Sequence, residues 1–173
     1  TTAHTAPVSV KGCKVTQDFG LRACVLLSSA VSPSNSGTVT FDPAPNCEGG
    51  ANGENLYNPG ASVSLRAQPS SGYQFTGWSG DITGSANPAP ISMDVARAVT
   101  AEFTACLSLT TSVSPAGSGT VSASPAPNCQ GGGANLYNPG TAVNLTANPA
   151  NNWSFKSWSG NASGSTSPAT ISM

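Results

Sequence analysis

The sequence predicts an all-β protein, a tandem of small domains with about six short strands each and little or no helix. Three observations carry this. Among 173 residues, 19 Gly and 14 Pro interrupt the apolar positions, so no window offers the 10 to 12 residues of helical periodicity a helix needs. The hydrophobic residues, 38% of the chain, alternate with polar ones at a period of two, which a solvated coil has no reason to keep. And the chain repeats itself at a spacing of about 80 residues, which suits a string of small domains better than a solenoid.

The repeat organises the elements. Cys24 and Cys47 recur as Cys106 and Cys129, Ser36-Gly37-Thr38-Val39 as residues 118 to 121, and Pro43-Ala44-Pro45-Asn46-Cys47 as residues 125 to 129. Asn55-Leu56-Tyr57-Asn58-Pro59-Gly60 returns as residues 135 to 140, Trp78-Ser79-Gly80 as Trp158-Ser159-Gly160, and Ile91-Ser92-Met93 as Ile171-Ser172-Met173. At the N-terminus, Pro7 to Val10 matches Pro90 to Met93, and Val15-Thr16-Gln17-Asp18-Phe19 matches Val99-Thr100-Ala101-Glu102-Phe103. Residues 1–19 thus read as the last strands of a preceding repeat or a free strand for donation, 20–103 as a complete repeat, and 104–173 as a repeat lacking its last strand.

Within the complete repeat, Val25, Leu27 and Val31 alternate with polar or small neighbours, as do Val39 with Phe41, and Val63, Leu65 with Ala67. Tyr73 with Phe75, Ile91 with Met93, and Val99, Ala101 with Phe103 complete six strands, each bounded by Pro, Gly, Asn or Ser. Each strand has one face for a core and one for water.

The cysteines follow the repeat. Cys24 and Cys47 flank a hairpin with its turn near Pro33 to Gly37, facing each other across the ladder, and Cys106 and Cys129 do the same in the next copy. One disulfide per repeat follows from that symmetry, closing a loop worth about 3 kcal/mol and implying an oxidising, extracytoplasmic compartment. Cys13 has no counterpart in the other copies. It is a free thiol, a link to another chain, or the partner of a residue outside this sequence.

Charged residues are only 8% of the chain, against about a quarter in ordinary domains, and the formal net charge is −1. That leaves no electrostatic footprint for nucleic acid. No stretch of about 18 apolar residues supports membrane insertion, and no secretion signal stands at the start, as in a mature or excised segment. His4 is the only histidine and residues 104–173 contain no acid, so no Ser/His/Asp or Cys/His group can be assembled in both copies. The chain is read as no enzyme, with no cofactor.

Metal binding is not expected either. Asp42, Glu48, Glu54 and Asp81 are replaced by Ser124, Gln130, Ala134 and Asn161 in the second copy. The Gly-rich residues 48–53 lack the ending of a phosphate loop. Trp78 and Trp158 have two readings, core anchor or platform for a sugar ring. Trp78 has the opposite parity to Tyr73 and Phe75, yet a bulge at Gly77 would return it to the core.

The order G-T-V, Y-x-x-G, V-x-L-x-A-x-P, G-Y-x-F-x-G-W-S-G-D, I-x-M and V-x-A-x-F occupies residues 37 to 103. It resembles the divergent internalin-type B repeat, related to the Listeria/Bacteroides repeat of bacterial surface proteins. The second copy departs at Asn152-Trp153, Ser157 and Asn161. The resemblance implies small β-rich domains, akin to a β-grasp in better known relatives, serving secreted or surface-anchored proteins as stalks, spacers or adhesive repeats. It carries no catalytic residues.

The expected function is therefore a non-enzymatic structural module, extracellular or at the cell surface, whose partners are neighbouring repeats or subunits. One form is a filament in which the strand bearing Val15 and Phe19 completes the last repeat of the next chain. The alternative is a module that binds an extracellular glycan for a secreted hydrolase, through Trp78 or Trp158.

Overall fold

The computed structural model describes residues 4–10, 13–19, 22–47 and 54–173, the first two segments by their backbone pairing alone. Strands β1 (His4–Val10) and β2 (Cys13–Phe19) pair antiparallel, with Val8 opposite Val15 and His4 opposite Phe19. The segment bearing Val15 and Phe19, read from sequence as the end of a preceding repeat or a strand for donation, is thus paired with β1. Only two residues separate β1 from β2, so local pairing closes at little entropic cost.

The first repeat contains β3 (Val25–Ser32), β4 (Gly37–Asp42), β5 (Leu56–Tyr57), β6 (Ser62–Pro69), β7 (Tyr73–Gly80), β8 (Ala89–Ser92) and β9 (Arg97–Ala105). The second contains β10 (Leu107–Ser108), β11 (Gly119–Ser124), β12 (Leu136–Tyr137), β13 (Ala142–Pro149) and β14 (Ala169–Ser172). The described residues are all-β, with no helix and hence none long and apolar enough to cross a membrane.

Two sheets form the first repeat, one in the order β5-β3-β9-β7 and the other β4-β6-β8. Consecutive strands β3 and β4 thus lie in different sheets, and the hairpin ladder expected between Cys24 and Cys47 does not exist. The reason lies in their connection. The N–H and hydroxyl of buried Ser36 both donate to the Pro33 carbonyl, and the Ser36 carbonyl accepts the N–H of Ser70 at the end of β6. That bond draws the start of β4 alongside β6 and away from β3. The second repeat does the same through Ser118, Pro115 and Ala150.

Burial follows the period of two. On β6, Val63, Leu65 and Ala67 are buried while Ser62, Arg66 and Gln68 face water. On β9, Val99, Ala101 and Phe103 are buried, and β8 adds Ala89 and Ile91. The outward positions are mostly Ser, Thr, Asn and Gln, which is how a chain so poor in charge wets its surface.

The second repeat keeps two of these arrangements. Sheet β11-β13-β14 reproduces β4-β6-β8 in register, with Val143 opposite Ile171 as Val63 is opposite Ile91. The pair β10-β12 reproduces β3-β5, with Leu107 opposite Tyr137 as Val25 is opposite Tyr57. The counterpart of β7, residues 153–160, forms no strand beyond a single bridge between Trp158 and Gly164. In the first repeat β7 is an edge strand whose one neighbour is β9. Among the described residues no strand pairs with 153–160, and the counterpart of β3 is two residues long.

By contact density the described chain forms two compact units, Thr1–Ala30 with Val39–Arg66 and Trp78–Thr100, and Val31–Thr38 with Ala67–Gly77 and Ala101–Met173. In the second unit the turn at Gly72 meets the Gly-rich loop of the second repeat. The Gly72 N–H donates to the Gly131 carbonyl at 3.0 Å, and the Cys106 N–H donates to the Gly72 carbonyl at 2.8 Å. A Cβ on Gly131 would run into the backbone of Tyr73, so a bare backbone is required there.

Candidate functional site

The polar groups that recur in both copies bond to the chain's own backbone. Tyr57 is buried and its hydroxyl donates to the Pro43 carbonyl at 3.0 Å; Tyr137 does the same to Pro125 at 3.2 Å. Burial pushes the Tyr57 phenol above its ordinary pKa of 10.0, since the phenolate would lose its water. The Asn46 side-chain oxygen accepts the N–H of Asn58, and that of Asn128 accepts the N–H of Asn138. Each repeated motif locks the loop between the second and third strands of its sheet system.

The W-S-G block is a joint of the same kind. Trp78 is only 4% exposed, and its indole N–H donates to the Ala86 carbonyl at 2.8 Å while its backbone bridges Gly84. The alternation of β7 shifts at Gly77, which brings Trp78 inward despite its parity. Of the two readings of Trp78, this burial is the setting of a core anchor. Gly80 follows with φ of 96°, and a Cβ there would stand 2.5 Å from the Ala98 carbonyl oxygen. Asp81 then accepts the Ala98 N–H at 2.6 Å and lies 3.8 Å from Arg97.

In the second copy Trp158 keeps its bonds, to Thr166 at 2.9 Å and to Gly164 at 2.7 Å, but its ring is only partly buried. Phe75 packs edge-on against Phe103 with ring centroids 5.8 Å apart. Its counterpart Phe155 has no such partner and leans on Trp158 instead, at 5.0 Å.

Disulfides join Cys24 to Cys47 and Cys106 to Cys129, each with Cα atoms 6.0 Å apart. Asn46 and Cys47 donate their N–H groups to the Leu56 carbonyl, so the bond ties the loop after β4 to the β5-β3 pair. Cys13 lies on β2, and its side chain, like those of Val15 and Phe19, is outside the described residues. So are Glu48 and the rest of the first Gly-rich loop.

The remaining acids are separated. Asp94 accepts the Ser92 hydroxyl at 2.7 Å, while Asp81 faces Ala98 and Arg97. Among the described residues no three His, Cys, Asp or Glu side chains converge.

What stands open is a cleft of about 1430 Å³ in the second repeat. Its walls are the counterparts of β3 and β7, residues 107–115 and 152–162, and its floor includes Val121, Leu145, Ile171 and Met173. Trp153, at 51% exposed, and Phe155 also line it. Sequence reasoning passed over both, although Trp153 stands at one of the departures between copies. Trp158 is the one candidate platform that the structure places on an open surface.

No curated protein and no solved structure matches this chain. A family model described as the divergent InlB B-repeat domain matches it twice, over residues 27–106 and 109–173. Motif order, the doubled sheet pattern and these matches, which cover most of the chain, agree: the protein belongs to the divergent InlB B-repeat family.

Proposed function

We propose that this chain is a non-enzymatic structural module, a stalk, spacer or adhesive repeat, of a bacterial protein that is secreted or held at the cell surface. The observation that carries the reading is that Tyr57, Asn46 and Trp78, with their counterparts Tyr137, Asn128 and Trp158, all bond to the chain itself. Repetition preserves a scaffold and no shared reactive group. Two disulfides in small domains support an oxidising, extracytoplasmic setting. Hydrolysis or transfer by the purified chain, on any of a panel of polysaccharide and peptide substrates, would overturn the reading.

Its finer form is assembly head to tail, β2 of one chain completing the second repeat of the next, which propagates as an open filament. In support, the β1-β2 pair belongs to no larger sheet among the described residues, and a lone two-stranded pair is marginal in water. Electron microscopy of a chain lacking residues 1–19 tests this; undiminished filaments exclude donation by β2.

A second reading has one observation in its favour. Trp153 and Trp158 share an open cleft, and aromatic rings exposed in this way hold sugar rings. Quenching of tryptophan emission by a soluble polysaccharide would support glycan binding; emission indifferent to a glycan panel would remove it.

A further inference from the structure

Gly72 is held by both of its backbone groups, its N–H on the Gly131 carbonyl and its carbonyl under the Cys106 N–H, all within the second compact unit. It stands third in a turn closed by the Tyr73 N–H, which donates to the Ser70 carbonyl at 3.1 Å. Its φ of 81° is the left-handed value that such a position asks of glycine. The turn belongs to the first repeat and both of its partners to the second. Those partners sit at the two ends of one disulfide, since Cys106 is joined to Cys129 and Gly131 lies two residues beyond Cys129. A small ring results: Gly72 to Cys106, across the sulfurs to Cys129, through Gln130 to Gly131, and back to Gly72.

We infer that Cys106–Cys129 is a redox lock on this junction. Oxidised, it holds the Gly-rich loop of the second repeat on the turn of the first; reduced, it releases the loop and leaves the sheets of both repeats formed. The inference goes beyond the structural reading and does not depend on assembly. With the disulfide closed, Gln130 is the single residue between two anchored points. With it open, residues 130–134 hang between Cys129, whose N–H donates to the Leu136 carbonyl, and Asn135, whose carbonyl accepts the Leu109 N–H. Gln130, Gly132, Gly133 and Ala134 are exposed, and three of these five residues are glycines, which lose the most freedom on ordering. One hydrogen bond from Gly72 is worth less than the entropy of fixing five such residues.

The co-reactant is a dithiol. Its thiolate attacks one sulfur and releases the other cysteine, and its second thiol then displaces the first. Two electrons and two protons pass to the protein, leaving thiols at Cys106 and Cys129 and a disulfide in the reagent. Neither cysteine is fully buried, so the sulfurs can be approached. The other disulfide supplies the control. Cys24–Cys47 has the same sequence separation of 23, and Cys47 bonds to Leu56 as Cys129 does to Leu136, so both restrict the unfolded chain alike. Neither bond of Gly72 involves it.

The experiment uses the full chain with Cys13→Ser, and compares it with Cys24→Ser/Cys47→Ser and Cys106→Ser/Cys129→Ser on that background by amide hydrogen exchange. Loss of Cys106–Cys129 should speed exchange at Gly72 roughly tenfold or more, while Leu65 on β6 and Leu145 on β13 stay protected. Loss of Cys24–Cys47 should leave Gly72 unchanged. The reverse effect is read on the oxidised chain and needs neither disulfide removed. Coupling is reciprocal, so Gly131→Ala should lower, about threefold or more, the ratio of reduced to oxidised dithiothreitol at which Cys106–Cys129 is half-reduced. The midpoint of Cys24–Cys47 should stay where it was, both being followed by alkylation and mass spectrometry. Gly72 exchange that ignores the second disulfide, or answers both disulfides alike, overturns the lock. So does protection lost at Leu145 together with Gly72, and so does a Cys106–Cys129 midpoint unmoved by Gly131→Ala. None of these results touches the non-enzymatic reading, which turnover alone would overturn.

Discussion

Asp81 and Ala98 exchange two hydrogen bonds. The Asp81 carboxylate accepts the Ala98 N–H at 2.6 Å, and the Asp81 N–H donates to the Ala98 carbonyl at 2.9 Å. The end of β7 is thereby fastened to the start of β9, across the gap that Gly80 leaves open. Asp81→Ala removes a charge-assisted bond and should cost about 1–3 kcal/mol in urea unfolding, with Asp81→Asn losing less because its oxygen still accepts.

The two tryptophans should respond unequally to the same substitution. Trp78 is enclosed by a complete repeat, so Trp78→Ala should cost about 3–5 kcal/mol. Trp158 sits beside the cleft, and Trp158→Ala should cost clearly less. Denaturation followed by far-UV circular dichroism measures both, and equal losses would contradict the difference in burial.

Alkaline pH should destabilise the first repeat through Tyr57. Its folded pKa is raised by burial, so the folded phenol keeps its proton while the unfolded one ionises. The contribution is therefore fully present below about pH 10 and is lost as pH rises through the folded value. The urea midpoint should fall above that pH and fall less in Tyr57→Phe, with both measured on a Cys13→Ser background to prevent thiol exchange.

Gly131 should tolerate no side chain. Gly131→Ala forces apart the backbone bond from Gly72, at a cost of about 1–3 kcal/mol. Hydrogen exchange read by nuclear magnetic resonance should show the Gly72 and Cys106 amides opening faster, while those of β6 stay protected.

Much of this architecture is legible in the residues. Val63, Leu65 and Ala67 on one face, repeated as Val143, Leu145 and Ala147, announce a strand by period alone, and the recurrence of Cys24 and Cys47 as Cys106 and Cys129 announces its copy. What is not legible depends on partners distant in sequence. β3 and β4 look like a hairpin, but the Ser36 to Ser70 bond sends them to different sheets. Leu56–Tyr57 is too short to show a period. Residues 153–160 carry the same aromatic pattern as 73–80 yet form no strand, because a strand at a sheet edge is made by its neighbour as much as by its own side chains. The cleft follows from that absence, and no local pattern around Trp153 or Phe155 marks it.

The scarcity of charge gives the cleft wall one further property. Lys156 is the single basic residue in positions 104–173, and it stands in the stretch of that wall without a ladder. Trypsin cuts after lysine or arginine in segments that can be drawn out of the fold, so the second repeat offers it one target. A strand seated in the cleft would knit that target into a sheet. The rate of nicking at Lys156 is then a clock for how long the wall stands bare.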